Sequence, residues 1–438
     1  MNLKQRSLVA ACALGLLGGQ AYADDLLQIY QLAQTKDPVI LQSKAQRDIA
    51  FEQISESRAS LLPQVAVSAG LSFTAVDSDV DSVTNTNASL GLSQSIYSKT
   101  LWTTLSLSEK SATQADAAYA AQLQNLIIRV SSAYFDVLRA QDNLSFVQAN
   151  KEAVGRQLEQ TKQRFNVGLT AITDVHEAQA EFDRTLASEI QAQNQLSNSY
   201  EALRVLTGVE HRNLNILNTE RFTPAPLDNG RQYWLDTATD RNLELNAQRI
   251  AKEIANQQID LAQSAYGPTL DLAAGIGYDR NDYGNETLFQ SNNDTTSGNI
   301  GLQFNMPLYT GGAINSRVKQ AQFNYVLASE ALEQSYRSVQ STVSSVVNNV
   351  SASIGSVRAF EQTVVSSNSA LEATEAGFEV GTRTIVDVQD ATRNLFSAKQ
   401  QLADARYDYI LNMLALKQAA GTLSEEDLIA VNNGLMPQ

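Results

Sequence analysis

The sequence contains very little cysteine and histidine: Cys12 is the only cysteine among 438 residues, and there are two histidines. A chain with one cysteine cannot form an internal disulfide, so disulfide-stabilised scaffolds are excluded. Basic residues are also scarce, because 32 Lys and Arg face 47 Asp and Glu, for a formal charge of −15. A chain this acidic does not neutralise a phosphate backbone, so nucleic-acid-binding proteins are excluded as a class.

The first 23 residues have the pattern of a secretion signal. Lys4 and Arg6 precede an apolar stretch from Leu8 to Leu17, and Ala21-Tyr22-Ala23 is typical of a signal-peptidase site. Removing residues 1–23 leaves 415 residues with a formal charge of −17. A lipoprotein with Cys12 as its lipidated first residue is the alternative, although few apolar residues precede Cys12. No later run reaches about 18 apolar residues, so we expect an exported chain without a transmembrane helix.

Proline is scarce as well, and its positions outline a repeat. Seven prolines leave residues 64–223 and 308–436 without any, which permits very long helices. Arg164–Val175 aligns with Gly377–Val388 at an offset of 213, and Pro63–Val67 aligns with Pro268–Leu272 at an offset of 205. We therefore predict two tandem copies of one unit, residues 24–210 and 233–423. Residues 211–232 would link them, and residues 424–438 would form a C-terminal tail.

Each copy is predicted to contain a helix followed by two strands. The helices, 38–62 and 243–266, both end before a proline. Apolar residues then alternate with small or polar ones over about 64–76, 87–97, 269–280 and 298–309. In the first of these segments every second residue from Val65 to Phe73 is apolar, while the residues between them are Ala, Ser or Gly. Four strands per chain would thus have one apolar face and one small or polar face.

A long helical hairpin is predicted to complete each copy, over residues 99–208 and 313–421. Positions spaced by four and three residues run from Tyr119 to Phe165 and are mainly apolar, and the same spacing recurs from Leu332 to Phe378. This heptad spacing is typical of coiled-coil packing. A helix over residues 99–166 would be about 100 Å long, which is longer than a compact domain.

The strand pattern allows two interpretations. The apolar face could meet a protein core in a soluble sandwich, or lipid in an outer-membrane barrel whose small-polar face lines a water-filled lumen. Export and the aromatic residues near strand ends favour the barrel. Four strands cannot close a barrel, since the smallest have about eight, and open strand edges are not tolerated in hydrocarbon. Several chains must then share one barrel, and the strand count alone does not decide between two chains and three.

The sequence shows no catalytic or metal-binding motif. His176 and His211 are isolated, and the HExxH, Walker A and GxSxG motifs are absent. Asp77, Asp79 and Asp81 resemble the start of a calcium loop but lack its glycine and its final glutamate. We therefore predict that the chain is not an enzyme and needs no cofactor or resident metal.

An acidic pair in the second hairpin has a more specific placement. Asp387 and Asp390 are three residues apart at a predicted helix start, so both project from nearly one face. The simpler interpretation is the acidic bias of a first helical turn, which the helix dipole favours. The equivalent positions in the first copy are Asp174 and Glu177.

The segments Arg164–Val175 and Glu379–Ala391, with the paired strands and the export signal, resemble the outer membrane efflux protein family over nearly all the mature chain. The resemblance implies a mixed α+β homotrimer with a twelve-stranded outer-membrane barrel, four strands from each chain. A long α-helical barrel with a mixed equatorial belt would cross the periplasm of a Gram-negative bacterium. The implied function is a passive exit duct for drug efflux and type I protein secretion. The implied partners are a periplasmic adaptor and an inner-membrane pump of RND, ABC or MFS type.

The resemblance also implies a pore constriction at the hairpin turns. Asp387 and Asp390 would contribute six carboxylates around one axis in a trimer. Such a ring selects cations and invites block by divalent metals, and crowding of like charges is expected to raise pKa values within it. The turn residues would form the adaptor-docking tip: Val167, Gly168, Leu169, Val380, Gly381 and Thr382.

Polar links between hairpins are a further implication of the resemblance. Arg383 would bond near Thr173 and Asp174, and Gln157 would meet Glu375. The linking tyrosine of the family is Phe378 here, and without a hydroxyl that link is expected to be absent. The closed state would then depend more on Arg383, and opening would be an iris-like untwisting of residues 376–390.

Two other functions fit parts of the sequence. A secreted coiled-coil stalk with a β-sheet anchor would also combine long helices with strands, but it would pass no ions. A soluble periplasmic binding protein would be exported too, although its compact lobes have no place for two long heptad helices.

Overall fold

A computed structural model of the chain describes residues 24–75, 82–283 and 293–437. The predicted signal peptide and the aspartates at 77, 79 and 81 lie outside the described residues. In the described part the elements are, in order, α1 (Leu26–Lys36), α2 (Pro38–Ala59), β1 (Gln64–Ala75), β2 (Ser82–Ser98), α3 (Lys99–Asn166), α4 (Ile172–Thr207), β3 (Ile216–Leu217), α5 (Arg231–Arg241), α6 (Leu243–Ser264), β4 (Thr269–Tyr283), β5 (Asn293–Asn305), α7 (Ala313–Glu379), α8 (Ile385–Ala419), α9 (Glu425–Asn432) and β6 (Leu435–Met436).

The two longest helices are α3, with 68 residues, and α7, with 67. Each extends about 100 Å at 1.5 Å per residue. They can be this long because neither contains proline and because heptad positions in their middle sections are buried against neighbouring helices. Val130 and Val137 of α3, and Val343 and Val350 of α7, are completely buried although they lie on helices that are otherwise largely open to solvent.

Four of the strands form one antiparallel sheet in the order β1-β2-β4-β5. Three strands have bounds that differ from the sequence prediction. β2 begins at Ser82 rather than 87, β4 continues to Tyr283, and β5 covers Asn293–Asn305 instead of 298–309. Cross-strand pairing extends the strands through polar residues that break the apolar alternation, as in the pairs Arg280 with Asp294 and Asn281 with Asn293. β5 ends early because Met306 precedes Pro307, which has no N–H to donate.

The two short helices before the sheet also end earlier than predicted. α2 ends at Ala59 and α6 at Ser264, whereas helices to 62 and 266 were expected. In both cases a tight turn fills the space before the proline, with backbone bonds from Leu62 N to Ala59 O and from Gly267 N to Ser264 O. The residue before a proline is excluded from the helical conformation, so the chain leaves the helix a few residues ahead of it.

The main hydrophobic core lies at the middle of α3. There α1, α4, α8 and α9 pack around completely buried side chains, including Tyr134 and Phe135 of α3, Leu203 of α4 and Leu428 of α9. The two-stranded sheet of β3 and β6 lies beside this core. This mixed region corresponds to the equatorial belt that the resemblance implied.

The sheet and the two layers of helices each have an element at either edge that lacks a neighbour on one side. β1 and β5 are the edges of the sheet. Below it, helices pack side by side in the order α2-α3-α6-α7, and beyond the core in the order α4-α3-α8-α7. Among the described residues no helix is long and apolar enough to cross a membrane.

Candidate functional site at the sheet and the hairpin turns

The sheet separates an apolar face from a small-polar face. In register across the four strands, Val65, Leu92, Ala274 and Ile300 form one row of the apolar face. Ser68, Ser89, Gly277 and Ser297 form a row on the other face, and the hydroxyls of Ser68 and Ser89 are 2.8 Å apart. The apolar face is open in the single protomer: Val67 is 78% exposed and Ile300 is 80% exposed. Such a sheet has one surface suited to lipid and one suited to water.

The two hairpin turns have the same backbone geometry. α3 ends in a Schellman motif with Gly168 at φ 78°, in which Leu169 N donates to Arg164 O at 2.8 Å. α7 ends in the same motif with Gly381 at φ 79° and a bond from Thr382 N to Gly377 O at 2.9 Å. Glycine is required at both positions because an L side chain disfavours positive φ. The motif leaves the neighbouring apolar side chains Val167, Leu169 and Val380 pointing into solvent.

Asp387 is held in a capping box at the start of α8. Its Oδ2 accepts from the backbone N–H of Thr384 at 2.8 Å and from the Thr384 hydroxyl at 2.9 Å. These bonds, with the backbone N–H as the main cause, lower the pKa of Asp387 below its ordinary value, and the charge of Arg383 contributes in the same direction. Within one protomer the donors around Asp387 therefore set the direction of its pKa shift, whereas the rise expected from crowded carboxylates concerns the trimer and stays a prediction.

Asp390 lies one turn further along α8, and it lines the same groove between α7 and α8 as Asp387. Its Oδ1 is 3.1 Å from Nη1 of Arg393, an ion pair within the helix. The groove between α7 and α8 is lined by Ser366 and Thr374 from α7 and by Arg383, Asp387 and Asp390. The structure thus brings the two predicted constriction residues together on one helix face.

The links expected from the resemblance are not formed within one protomer. Among the described residues no hydrogen bond joins Arg383 to Thr173 or Asp174; the Arg383 side chain packs over Gly377 instead. Asp174 accepts from the hydroxyl of Thr170, in its own hairpin turn. Thr173 is exposed. Within the described part of the protomer, Arg383 therefore makes no hydrogen bond to the first-hairpin pair, and a link between neighbouring copies stays a prediction.

Within the protomer, Gln157 bonds a residue other than Glu375. Its Nε2 donates to Oγ1 of Thr392 at 3.1 Å, in a buried contact between α3 and α8. Glu375 is exposed on α7 and has no hydrogen bond in the part of the chain that the structure describes. The reason is the packing order, since α8 lies between α3 and α7 in this half of the protomer.

Phe378, the position that departs from the family tyrosine, makes another contact. The guanidinium of Arg164 lies over its ring, with Cζ 4.5 Å from the ring centroid. This distance is within the range of a cation–π interaction. The contact joins the last turn of α3 to the last turn of α7, so the ring still connects the two hairpins.

Sequence reasoning missed one ion pair near the turns. Glu181 of α4 is nearly buried, with 8% of its side chain exposed, and its Oε1 lies 3.2 Å from Nη2 of Arg393 in α8. The spacing Asp390–Arg393 could have suggested an ion pair within a helix. Nothing in the sequence indicates that Arg393 also reaches Glu181, because the two residues are 212 positions apart.

Comparison with known proteins gives the same family as the residues did. The sequence profile of the outer membrane efflux protein family matches residues 29–209 and residues 234–422. Outer membrane protein TolC of Vibrio cholerae is 50% identical over 430 residues, covering 98% of each chain. Outer membrane protein TolC of Escherichia coli K12 is 47% identical over 424 residues, covering 94% of this chain and 85% of the relative.

A more distant relative matches most of the chain, and solved outer-membrane channel structures share its fold. Alkaline protease secretion protein AprF of Pseudomonas aeruginosa is 29% identical over 429 residues, covering 94% of this chain and 88% of AprF. Among solved structures, the CmeC outer membrane channel of Campylobacter jejuni superposes with a TM-score of 0.77 at 16% identity, covering 99% of this chain and 98% of CmeC. Outer membrane protein VceC of Vibrio cholerae superposes with a TM-score of 0.73 at 21% identity, covering 90% and 96%. The chain belongs to the outer membrane efflux protein family.

Proposed function

We propose that three copies of the chain close edge to edge into one outer-membrane channel, a passive exit duct for efflux and type I protein secretion. The observation that carries this proposal is the sheet with two open edges, β1 and β5. Its apolar face is unsuited to water, and strand edges are not tolerated in lipid unless they are paired. Three four-stranded sheets give twelve strands, enough to close a barrel around water.

The helical levels support the same closure. At each level the protomer ends in two unpaired helices, α2 and α7 near the sheet and α4 and α7 beyond the core. Several large apolar side chains on these edges are exposed, including Ile49 of α2, Ile190 of α4, and Phe323 and Leu327 of α7. A rotation that pairs β5 with the next β1 also places α7 beside the edge helices of the next copy.

The relatives define the kind of transport. AprF is named for the secretion of an alkaline protease, and the family is named for efflux. The channel works with a periplasmic adaptor and an inner-membrane pump; we propose that this pump is of RND, ABC or MFS type. The duct supplies no energy of its own in this account, and the energised pump passes the cargo to it.

The hairpin turns form the gate in this proposal. In a trimer, Asp387 and Asp390 of each copy contribute six carboxylates near the axis, and Arg383 positions each α8 against its neighbours. The exposed apolar residues Val167, Leu169 and Val380 give the adaptor a docking surface at the turns. Docking shifts an equilibrium between a closed and an open state of the second hairpin, α7 and α8, in each copy. In the open state this hairpin untwists over residues 376–390.

Planar-bilayer recording of the purified protein tests this function. We expect a stable, cation-selective channel of low conductance, blocked by magnesium chloride added on the periplasmic side. The variant Asp387→Asn with Asp390→Asn should lose most of the block, because it removes the carboxylates while keeping side-chain size. A structural stalk passes no ions, so an electrically silent protein that inserts into the bilayer would contradict the proposal.

A further inference from the structure

Arg393 lies between two carboxylates that belong to different hairpins. Its Nη1 is 3.1 Å from Oδ1 of Asp390, in the groove of the proposed constriction. Its Nη2 is 3.2 Å from Oε1 of Glu181, on helix α4 of the other hairpin. The planar guanidinium can bond in two directions at once, which a lysine ammonium does less well. One side chain therefore contacts both a residue of the candidate pore and the first hairpin, formed by α3 and α4.

Glu181 needs this partner because it is nearly out of solvent. Its side chain is 8% exposed, and a buried carboxylate is unfavourable unless cations or donors surround it. In the part of the chain that the structure describes, its other cationic partner is Arg184, at 2.7 Å, but Arg184 is in the same helix and is 65% exposed. Among the described residues Arg393 is the one cation that joins Glu181 to the second hairpin.

The ion pair lies where the hairpins must separate if the gate opens. α8 carries Asp387, Asp390 and Arg393 on consecutive turns, so a displacement that moves the two aspartates also moves Arg393. α4 belongs to the first hairpin and keeps Glu181 fixed against α3. Any outward rotation of α8 therefore lengthens the contact between Arg393 and Glu181 and leaves Glu181 without its second cation.

We propose that Arg393 is a positioning and selectivity residue of the channel. It fastens α8 to α4 in the closed state through Glu181, and it lowers the effective negative charge of the constriction through Asp390. This inference rests on the proposed function, because it takes Asp390 as a pore residue. Arg393 replaces part of the hairpin connection that Phe378 cannot make through a hydroxyl.

Three single variants separate the two roles in planar bilayers. Glu181→Gln removes the inter-hairpin ion pair but leaves Arg393 beside Asp390, so conductance should rise while magnesium block stays near the parental value. Arg393→Gln removes both contacts, so conductance should rise and magnesium should block at a concentration lower by about fivefold or more, since the cation 3.1 Å from Asp390 is lost in each protomer. Arg184→Gln is the matched control; it removes a cation from Glu181 within α4 alone and should keep parental conductance.

A double variant tests whether the two residues act through each other. If the ion pair is the closed-state contact, Glu181→Gln combined with Arg393→Gln should show the same conductance as Arg393→Gln alone. Additive increases would mean that the residues act separately and would overturn the inter-hairpin role. Native gel electrophoresis of each variant checks that the oligomer is retained.

The outcomes distinguish this inference from the proposed function. If the parent conducts and Asp390→Asn relieves magnesium block, the pore assignment stands. Parental conductance and parental block in both Arg393→Gln and Glu181→Gln would then overturn the role of Arg393 alone. If the parent does not conduct, or if the double aspartate variant is blocked as strongly as the parent, the constriction itself is contradicted.

Discussion

The guanidinium of Arg164 lies 4.5 Å from the ring centroid of Phe378, and this contact joins the ends of α3 and α7. The two residues come from opposite hairpins and flank the two glycine turns. A phenylalanine cannot donate a hydrogen bond, but its ring face attracts a cation. The connection between hairpins has thus changed its chemistry at this position without being lost.

Replacing the cation tests this contact. Arg164→Gln should weaken the closed state by about 0.5–1 kcal/mol per protomer, the range of an exposed cation–π pair, and single-channel conductance should increase. Phe378→Tyr is the matched control, since it keeps the ring under Arg164 and should not raise conductance. An intact Arg164→Gln oligomer with parental conductance would show that the contact does not hold the gate.

Arg383 is expected to hold neighbouring protomers together at the gate. Within one protomer it packs over Gly377 and bonds neither Thr173 nor Asp174, which leaves its guanidinium free to reach an adjacent copy. Arg383→Ala should therefore leave the pore leaky, measured as a raised conductance in planar bilayers. Arg383→Lys keeps the charge and should leak less; equal conductance in parent and Arg383→Ala contradicts this role.

The capping box of Asp387 predicts a pH dependence of metal block. Because the Thr384 bonds lower the pKa of Asp387, its carboxylate stays ionised as the pH falls below the ordinary range for Asp. Thr384→Ala removes the hydroxyl donor while keeping the backbone N–H, so the pKa should rise part of the way. Magnesium block should then disappear at a higher pH in Thr384→Ala than in the parent or in Thr384→Ser. Identical pH profiles would mean that Asp387 does not bind the blocking ion.

Asp142, near the core, has a pKa shifted in the opposite direction to that of Asp387, and this shift predicts a pH dependence of folding stability. Burial raises its pKa, against the bond from the Tyr407 hydroxyl at 2.6 Å. A carboxyl with a raised folded-state pKa gives its full stabilisation below its unfolded pKa and loses it as the pH rises through the folded value. Asp142→Asn should weaken the pH dependence of the thermal unfolding midpoint in that window. Tyr407→Phe should strengthen this dependence, because it removes a hydrogen bond that lowers the pKa of Asp142. A parental profile for Asp142→Asn would show that the group does not titrate on unfolding.

The hairpins and their turns could be predicted because their signals are local. Heptad spacing and the lack of proline determine α3 and α7, and Gly168 and Gly381 mark turns that need positive φ. The family resemblance is confirmed by the comparisons. The start of β2, the end of β4 and the start of β5 were misplaced because pairing with a neighbouring strand, and not apolar alternation, decides how far a strand extends.

The contacts that the proposed gate residues make within the protomer could not be predicted in the same way. Gln157 bonds Thr392 because α8 packs between α3 and α7, an arrangement that no local pattern encodes. The pair of Glu181 and Arg393 depends on two helices from different repeats meeting at one point. Sequence spacing predicts neighbours within a helix, whereas contacts across 212 positions depend on how the helices pack.

Counting the chains in the detergent-extracted protein tests the central claim most directly. Four strands with two open edges require partners if the apolar face is to meet lipid. Native mass spectrometry should give the mass of three protomers, and chemical cross-linking should produce a ladder that ends at three. A single protomer that stays in aqueous solution without detergent would contradict the account.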